Sequence, residues 1–176
     1  MDKKVWEIID SYFRDNPRAL IDHQIDSYNQ FFDEDLKKII KKNNPIKIYQ
    51  EYNKTTKLFQ LKCDIYIGGI DGDKIYYGKP IIYDENNIHY MYPNEARLRN
   101  MTYGFTIHYD LDVKYTINNH EQIFTYHQMY LGKFPIMLQS KYCILRDLPK
   151  AMRFQVGECK NDLGGYFIID GKEKVI

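Results

Sequence analysis

The chain has 176 residues and a mass of 21.2 kDa, which suits one domain of the common size of roughly 100–200 residues. Its 25 basic and 24 acidic residues nearly cancel, which excludes a global field that would draw the chain onto nucleic acid or an anionic membrane. The three cysteines, Cys63, Cys143 and Cys159, are far apart, so we expect buried thiols in a reducing compartment. Because no signal peptide or long apolar run is visible, we expect a soluble intracellular protein with no membrane partner.

Two helices are predicted at the start of the chain, over about residues 4–42. Apolar residues from Val5 to Phe13 recur at helical spacing, and Asp15-Asn16-Pro17 ends this element. A longer helix is predicted from about Arg18 to Lys42. Its apolar face comprises Ile21, Ile25, Tyr28, Phe32, Leu36 and Ile39.

A mainly antiparallel sheet is predicted over about residues 45–176, because the hydrophobic period changes to two. Residues 59–67 alternate, and we expect residues 75–83 to pair back on them as a hairpin. The clearest strand runs over residues 103–117, with one solvated face that carries His108, Asp110 and Asp112, and residues 123–131 return beside it.

Short helices interrupt the strands. Pro93 can occupy the first turn of one helix, and residues 148–156 favour another. Near the end, Asp170-Gly171 predicts a tight hairpin turn between residues 166–169 and 172–176. A domain seldom stops inside a hairpin arm, so we expect the chain to be the front part of something longer. The predicted fold class is α+β, in a single partial domain over residues 1–176.

Pattern alone indicates no active site. The histidines lack metal-ligand spacing, and although His108, Asp110 and Asp112 could in principle grip a divalent cation, a solvated strand face explains them better. The Gly-Gly pairs at 68 and 164 lack the rest of a phosphate loop, which favours backbone relief.

Basic residues near apolar or glycine-rich segments are candidates for contact with nucleic acid. If they cluster on one face, they could neutralise backbone phosphates without reading bases, but ordinary surface charge is the simpler interpretation from composition alone. They are Arg97, Arg99, Lys133, Lys141, Lys172 and Lys174.

Four blocks, residues 26–32, 92–103, 132–143 and 164–175, resemble a known family in this order. They are similar to the N-terminal region of the second-largest subunit of multisubunit DNA-directed RNA polymerases. The similarity is greater to the eukaryotic and large-DNA-virus form than to the bacterial beta subunit. With an AT-rich codon bias suggested by the Tyr, Ile, Lys and Asn content, a large DNA virus is an expected source.

The resemblance implies an incomplete protrusion domain, one wall of the DNA cleft, active only in the assembled nucleotidyltransferase. It implies no catalytic residue and no cofactor here, with Mg²⁺ and Zn²⁺ held elsewhere in the complete polymerase. The implied partners are the largest subunit, other polymerase subunits, the DNA template and the DNA–RNA hybrid. The implied location is the nucleus for a cellular protein, or the virion or a cytoplasmic viral factory for a viral one.

The resemblance also ranks the candidate residues. Lys174 is the best candidate to face nucleic acid, whereas Arg97 and Arg99 are expected to hold a helix against strands at least as often as they touch phosphate. Lys133 and Gln139 stand where the family commonly has arginine, which puts a phosphate role at 139 in doubt. The alternative is a stand-alone module, derived from the polymerase, that binds other polymerase subunits without catalysis.

Overall fold

The computed structural model describes residues 3–55, 58–84, 87–117 and 120–175, and it confirms the α+β class. The helices are α1 (Lys3–Asp15), α2 (Asp22–Gln30), α3 (Leu36–Asn43), α4 (Pro93–Leu98) and α5 (Lys150–Gln155). The strands are β1 (Ile46–Asn53), β2 (Leu58–Ile67), β3 (Ile75–Tyr77), β4 (Ile81–Asp84), β5 (Asn87–Tyr90), β6 (Gly104–Ile117), β7 (His120–Pro135), β8 (Phe167–Ile169) and β9 (Lys172–Lys174). Within these described ranges, no helix is both long and apolar enough to cross a membrane.

The residues group into two compact units. The first unit comprises Met1–Phe31, Lys79–Gly104 and Pro135–Ile176, and the second comprises Phe32–Gly78 and Phe105–Phe134. The first unit therefore contains the two-stranded sheets β4-β5 and β8-β9, while the second contains the larger sheet.

Three extended segments meet in the core of the first unit. The Tyr103 N–H donates to the Ile168 carbonyl (3.0 Å), the Ile136 N–H to the Tyr103 carbonyl (2.9 Å), and the Leu138 N–H to the Tyr166 carbonyl (2.9 Å). The side chains of Tyr103, Ile136, Leu138 and Ile168 are almost completely buried. Gly164, at a φ of +82°, lies so close to the Leu138 carbonyl that a Cβ could not fit, as the backbone-relief interpretation predicts.

The sheet of the second unit has the order β1-β2-β6-β3, and β7 also pairs with β6. β2 runs antiparallel to both β1 and β6. The Asn44 side chain fixes the entry to β1, since its amide donates to the Ile67 carbonyl (2.8 Å) and its oxygen accepts from the Ile67 N–H (3.1 Å). Phe32 packs its ring edge-on against Tyr77 and Phe105.

The predicted hairpin of residues 75–83 with residues 59–67 is wrong. β3 pairs with β6, Tyr76 lying opposite His108, and residues 81–84 pair instead with β5. Since β6 extends beyond β2, the remaining length of its edge is free to accept β3. Alternation alone cannot reveal such a pairing, because every strand of the sheet shares the same period.

The single helix predicted over residues 18–42 is divided. A π-helical turn, Phe31–Asp35, lies between α2 and α3 and inserts one extra residue into the helical repeat. The apolar face consequently shifts, so that Ile40 is half-buried while the predicted Ile39 is 50% exposed. By contrast, α1 and α4 match their predicted positions, and Pro93 occupies the first turn of α4.

The predicted solvated face of β6 is corrected at two positions, because Asp110 and Asp112 are buried. Asp110 accepts from the Gln128 N–H (3.0 Å), His127 Nδ1 (3.1 Å) and the Tyr76 hydroxyl (3.3 Å). Asp112 accepts from the Ile70 N–H at 3.0 Å. The prediction of buried thiols is correct for Cys63 and Cys143 and wrong for Cys159, which lies in an exposed loop after α5.

Candidate nucleic-acid interface

The hairpin β8-β9 carries the two lysines nearest the end of the chain. Asp170 and Gly171 have φ values of +50° and +74°, so both central residues of the turn are left-handed, as predicted from the Asp-Gly pair. Phe167 pairs with Lys174 and Ile169 with Lys172, which places the two lysines on one face of the hairpin. Both lysines are exposed.

The turn of this hairpin is held against the segment that follows α4. The Gly171 N–H donates to the Met101 carbonyl (3.0 Å), and the Thr102 hydroxyl contacts both the carboxylate and the N–H of Asp170 (3.2 Å each). A Cβ at Gly171 would lie 2.8 Å from the Asn100 Cα, so only glycine permits this approach. The lysines therefore project from an anchored hairpin.

Arg97 is at the centre of a group that we call the Arg97 cluster: Arg97, Glu158, Tyr166 and Glu173. Its Nη1 donates to both oxygens of Glu158 (3.0 and 2.9 Å), its Nε to Glu173 (2.9 Å) and its Nη2 to the Tyr166 hydroxyl (2.8 Å). The Tyr166 hydroxyl in turn donates to Asp162 at 2.6 Å. Every nitrogen of the guanidinium thus bonds within the first unit.

The electrostatics of the cluster stabilise the charged arginine. Burial alone disfavours the guanidinium charge, but the hydrogen bonds and field of Glu158 outweigh it, and the pKa of Arg97 is raised. The Glu158 side chain is only 3% exposed, so its charge depends on this partner. Arg97 therefore connects α4 to the loop after α5 and to β9.

Arg99 is engaged in a more exposed network. Its two terminal nitrogens donate to the Asp84 carboxylate at 2.9 and 3.2 Å, and its Nε lies 3.2 Å from Glu95. The hydrogen bonds from Arg99 lower the pKa of Asp84. Arg97 and Arg99 thus hold the helix and the residue after it to their neighbours.

The remaining lysines lie apart. Lys133 is exposed near the end of β7, in the second unit. Lys141 follows the buried segment of residues 136–140; its N–H donates to Asn29 at 2.9 Å, and its ammonium lies 6.0 Å from the centre of the Tyr142 ring. In the described part of the chain, Lys133, Lys172 and Lys174 have no ion-pair partner, so the lysines of the hairpin and of β7 keep their charge available.

The structure does not assemble the alternative metal site. Throughout the described ranges, no group of three or more His, Cys, Asp or Glu side chains could hold a metal ion. Asp110 and Asp112 bind backbone N–H groups instead, and His108 packs beside the Tyr130 ring. Binding of the Gln128 N–H, with a contribution from His127, lowers the pKa of Asp110.

Sequence reasoning missed the partners of Arg97. Glu158 and Glu173 lie 61 and 76 residues beyond Arg97, and neither occupies a position that a local pattern singles out. The arrangement emerges only when the loop after α5 and the final hairpin converge on α4. A buried glutamate in an otherwise polar loop has no sequence signature of its own.

Comparison with known proteins identifies the family. A family model described as "RNA polymerase beta subunit" matches residues 19–176. The chain belongs to that family, and it corresponds to an N-terminal region of the second-largest RNA polymerase subunit, as the four blocks predicted.

Individual relatives agree with the family model. The chain is 35% identical over 188 residues to the DNA-directed RNA polymerase II subunit RPB2 of Eremothecium gossypii. The alignment covers 97% of this chain and 15% of that protein. It is 30% identical over 177 residues to the RNA polymerase subunit Rpo2N of Methanothermobacter thermautotrophicus, covering 100% of this chain and 30% of that protein. It is 34% identical over 171 residues to the RNA polymerase III subunit RPC2 of Saccharomyces cerevisiae, covering 97% of this chain and 13% of that protein. The chain thus spans less than a third of the relatives it matches.

Proposed function

We propose that this chain works as part of a DNA-directed RNA polymerase, where it forms part of the protrusion on the wall of the DNA cleft. The observation that carries the proposal is the hairpin β8-β9, which presents Lys172 and Lys174 on one face while its turn is fixed to the segment after α4. In this role the chain contacts the DNA template or the DNA–RNA hybrid through backbone phosphates, and the complete assembly carries out nucleotidyl transfer.

The charge distribution supports a contact of this kind. An ammonium with no carboxylate partner can exchange its counterion for a phosphate without breaking an internal ion pair, which makes Lys172, Lys174 and Lys133 better candidates than Arg97. Because lysine is a point charge without a fixed fork, the contact positions the strand and does not read its bases. Of the two hairpin lysines, Lys174 is the better candidate, because it stands in the Glu-Lys-Val that resembles the family's Glu-Lys or Glu-Arg pair after the glycine turn.

The proposal includes partners and metals outside the chain. The partners are the largest subunit and the other polymerase subunits. We place Mg²⁺ and Zn²⁺ in other parts of the complete enzyme, as the resemblance to the family implies. For a cellular source we assign the nucleus, in line with the eukaryotic relatives; a viral source would instead imply the virion or a viral factory, and the relatives named above are all cellular.

The test replaces both hairpin lysines in the assembled polymerase. Lys172→Ala/Lys174→Ala should shorten the half-life of the complex with a template duplex by about 10-fold at low salt. The half-life should also depend less steeply on salt, because fewer phosphate contacts mean fewer counterions exchanged when the complex forms and dissociates. Retention is measured as the half-life of the polymerase–DNA complex over a salt series. The matched control is Lys47→Ala/Lys54→Ala, which removes two exposed lysines from the second unit. Equal half-lives for the hairpin variant and the control would remove the hairpin from the DNA contact.

The second candidate is a stand-alone module that binds other polymerase subunits. It is favoured by α1, whose apolar side chains are exposed: Val5, Trp6, Ile8, Ile9, Tyr12 and Phe13, between 40% and 69%. Such a stripe usually marks a protein contact. Size-exclusion chromatography with light scattering decides: this candidate requires a monodisperse chain that captures the largest subunit through α1. Self-association relieved by Trp6→Lys/Ile8→Lys, with no such capture, supports the first proposal instead.

A further inference from the structure

A cavity of about 600 Å³ opens on the first unit beside the start of α5. Its walls come from residues 17–18, Gln139 and the segment 146–163. Five of the lining side chains are basic: Arg18, Arg146, Lys150, Arg153 and Lys160. In a chain with a net charge of only +1, this is a marked local concentration of positive charge.

The positive charge of the cavity is largely uncompensated. The one acidic lining residue, Asp162, accepts from the Gly164 N–H (2.9 Å) and the Tyr166 hydroxyl (2.6 Å), so neutral donors hold its carboxylate. Arg18 lies 3.3 Å from Asp22 at an exposed position. In the described part of the chain, no carboxylate is within ion-pair distance of Arg146, Lys150, Arg153 or Lys160.

Two features show that the cavity is preorganised. The Arg153 Nε donates to the Leu148 carbonyl (2.9 Å) and its Nη2 to the Arg146 carbonyl (3.2 Å), which fixes the guanidinium and the turn before α5 while Nη1 has no partner among the described residues. The Lys160 ammonium lies 4.7 Å from the centre of the Phe154 ring. These contacts hold two cations in place before any ligand arrives.

A buried polar group completes the wall. Gln139 is 4% exposed and has a φ of +65°. Since it lines the cavity, its side-chain amide can donate a hydrogen bond to a ligand oxygen there. A glutamine at this position therefore keeps a use as a neutral donor although it carries no charge.

We propose that this cavity binds the phosphodiester backbone of a nucleic-acid strand, an inference that rests on the proposed function and adds a second contact to it. Guanidinium and ammonium groups match phosphate oxygens, and the volume admits more than one phosphate of a strand. No lining residue is aromatic, so the site has no platform for base stacking and binds without regard to sequence. Of the lining residues only Pro17 and Leu163 are apolar, which leaves an acidic peptide little to anchor on.

The experiment measures binding of a short fluorescein-labelled DNA strand to the 176-residue chain by fluorescence anisotropy, over a salt series. Arg146→Ala/Lys150→Ala should raise Kd by about 10-fold at low salt and lower the salt slope by about 1–2. Both side chains are exposed at the rim, so the variant should keep the parental thermal midpoint. If the alanine variant has a lower thermal midpoint than the parental chain, Arg146→Gln/Lys150→Gln is used in its place. In a second measurement, the side-chain amide signal of Gln139 is followed by NMR while the DNA strand is titrated into the chain.

The matched control is Lys47→Ala/Lys54→Ala, which removes the same charge from the second unit and should change Kd by less than about 2-fold. An equal loss in both variants, or a parental Kd in the cavity variant, overturns the proposal. Calorimetric titration with inorganic pyrophosphate and with polyglutamate separates other ligands: tight binding of either, abolished by the cavity variant while strand binding persists, also overturns it. An unmoved Gln139 amide signal in the presence of bound strand does the same.

The hairpin variant distinguishes this inference from the proposed function. If only Lys172→Ala/Lys174→Ala shortens the half-life of the polymerase–DNA complex and the cavity variant binds normally, the cavity contact is refuted while the hairpin contact stands. If only the cavity variant loses strand binding, the cavity contact stands without the hairpin. Parental behaviour of both variants refutes both.

Discussion

The first unit uses its basic side chains in two opposite ways. At the Arg97 cluster, one guanidinium has two carboxylates and a tyrosine hydroxyl around it, and all of its nitrogens are engaged. At the cavity beside α5, five cations share a wall with one carboxylate, which neutral groups already hold. Basic side chains thus stabilise the fold at the Arg97 cluster, whereas at the cavity their charge is available to a ligand.

The difference shows why a basic residue in the sequence is a poor guide to function. A cation next to a buried carboxylate stabilises the fold, because its removal leaves the carboxylate charged and without a counterion in a medium of low polarity. A cation without such a partner contributes little to folding, and its field extends into solvent. Substitutions at the Arg97 cluster should therefore lower the stability of the fold, whereas substitutions at the cavity should weaken binding.

The largest expected effect comes from Arg97→Ala. Loss of the guanidinium leaves Glu158 buried without a counterion and should lower the free energy of unfolding by about 3 kcal/mol. Urea unfolding followed by circular dichroism measures it. Arg146→Ala, at the cavity, should change the same quantity by less than about 0.5 kcal/mol.

Two further variants show whether the stranded charge is the cause. Glu158→Gln in the Arg97→Ala background should recover part of the loss, because it removes the buried charge itself. Arg97→Lys should fall between the parental chain and Arg97→Ala, since an ammonium keeps the charge but cannot reach three partners in a fixed fork. If Glu158→Gln made Arg97→Ala worse, the cluster would depend on packing and not on charge.

Much of the fold follows from the sequence because local chemistry determines it. The helical period of α1, Pro93 at the start of α4 and Asp170-Gly171 at the last turn each specify their own structure. What the sequence could not predict are the arrangements made across distance. β3 joins β6 and not β2, and the π-helical turn divides the long helix, because both depend on tertiary packing.

The candidate sites follow the same division. Their place beside a glycine-rich segment made Lys172 and Lys174 candidates, and the resemblance to the family favoured Lys174. The structure leaves both exposed and, in its described part, without an ion-pair partner. The role of Arg97 was anticipated only in outline, because Glu158 lies far along the chain. At the cavity, Lys150 and Arg153 are three residues apart on α5, so their spacing brings them to one side, whereas Arg146 lies in the turn before the helix and no local pattern places it beside them.

The smallest expected effect comes from Arg99→Ala, the exposed counterpart of Arg97→Ala. Arg99 lowers the pKa of Asp84 from its ordinary value of 3.8, so the pair stabilises the fold above that pH and the contribution disappears as the pH falls through the lowered value. Arg99→Ala should therefore cause a small drop in thermal midpoint at neutral pH that shrinks to nothing in acid. Thermal unfolding of both chains across a pH series measures this difference. A difference that persisted after Asp84 is protonated would mean that Arg99 acts through packing of its stem, and the exposed pair would then resemble the Arg97 cluster more than the cavity.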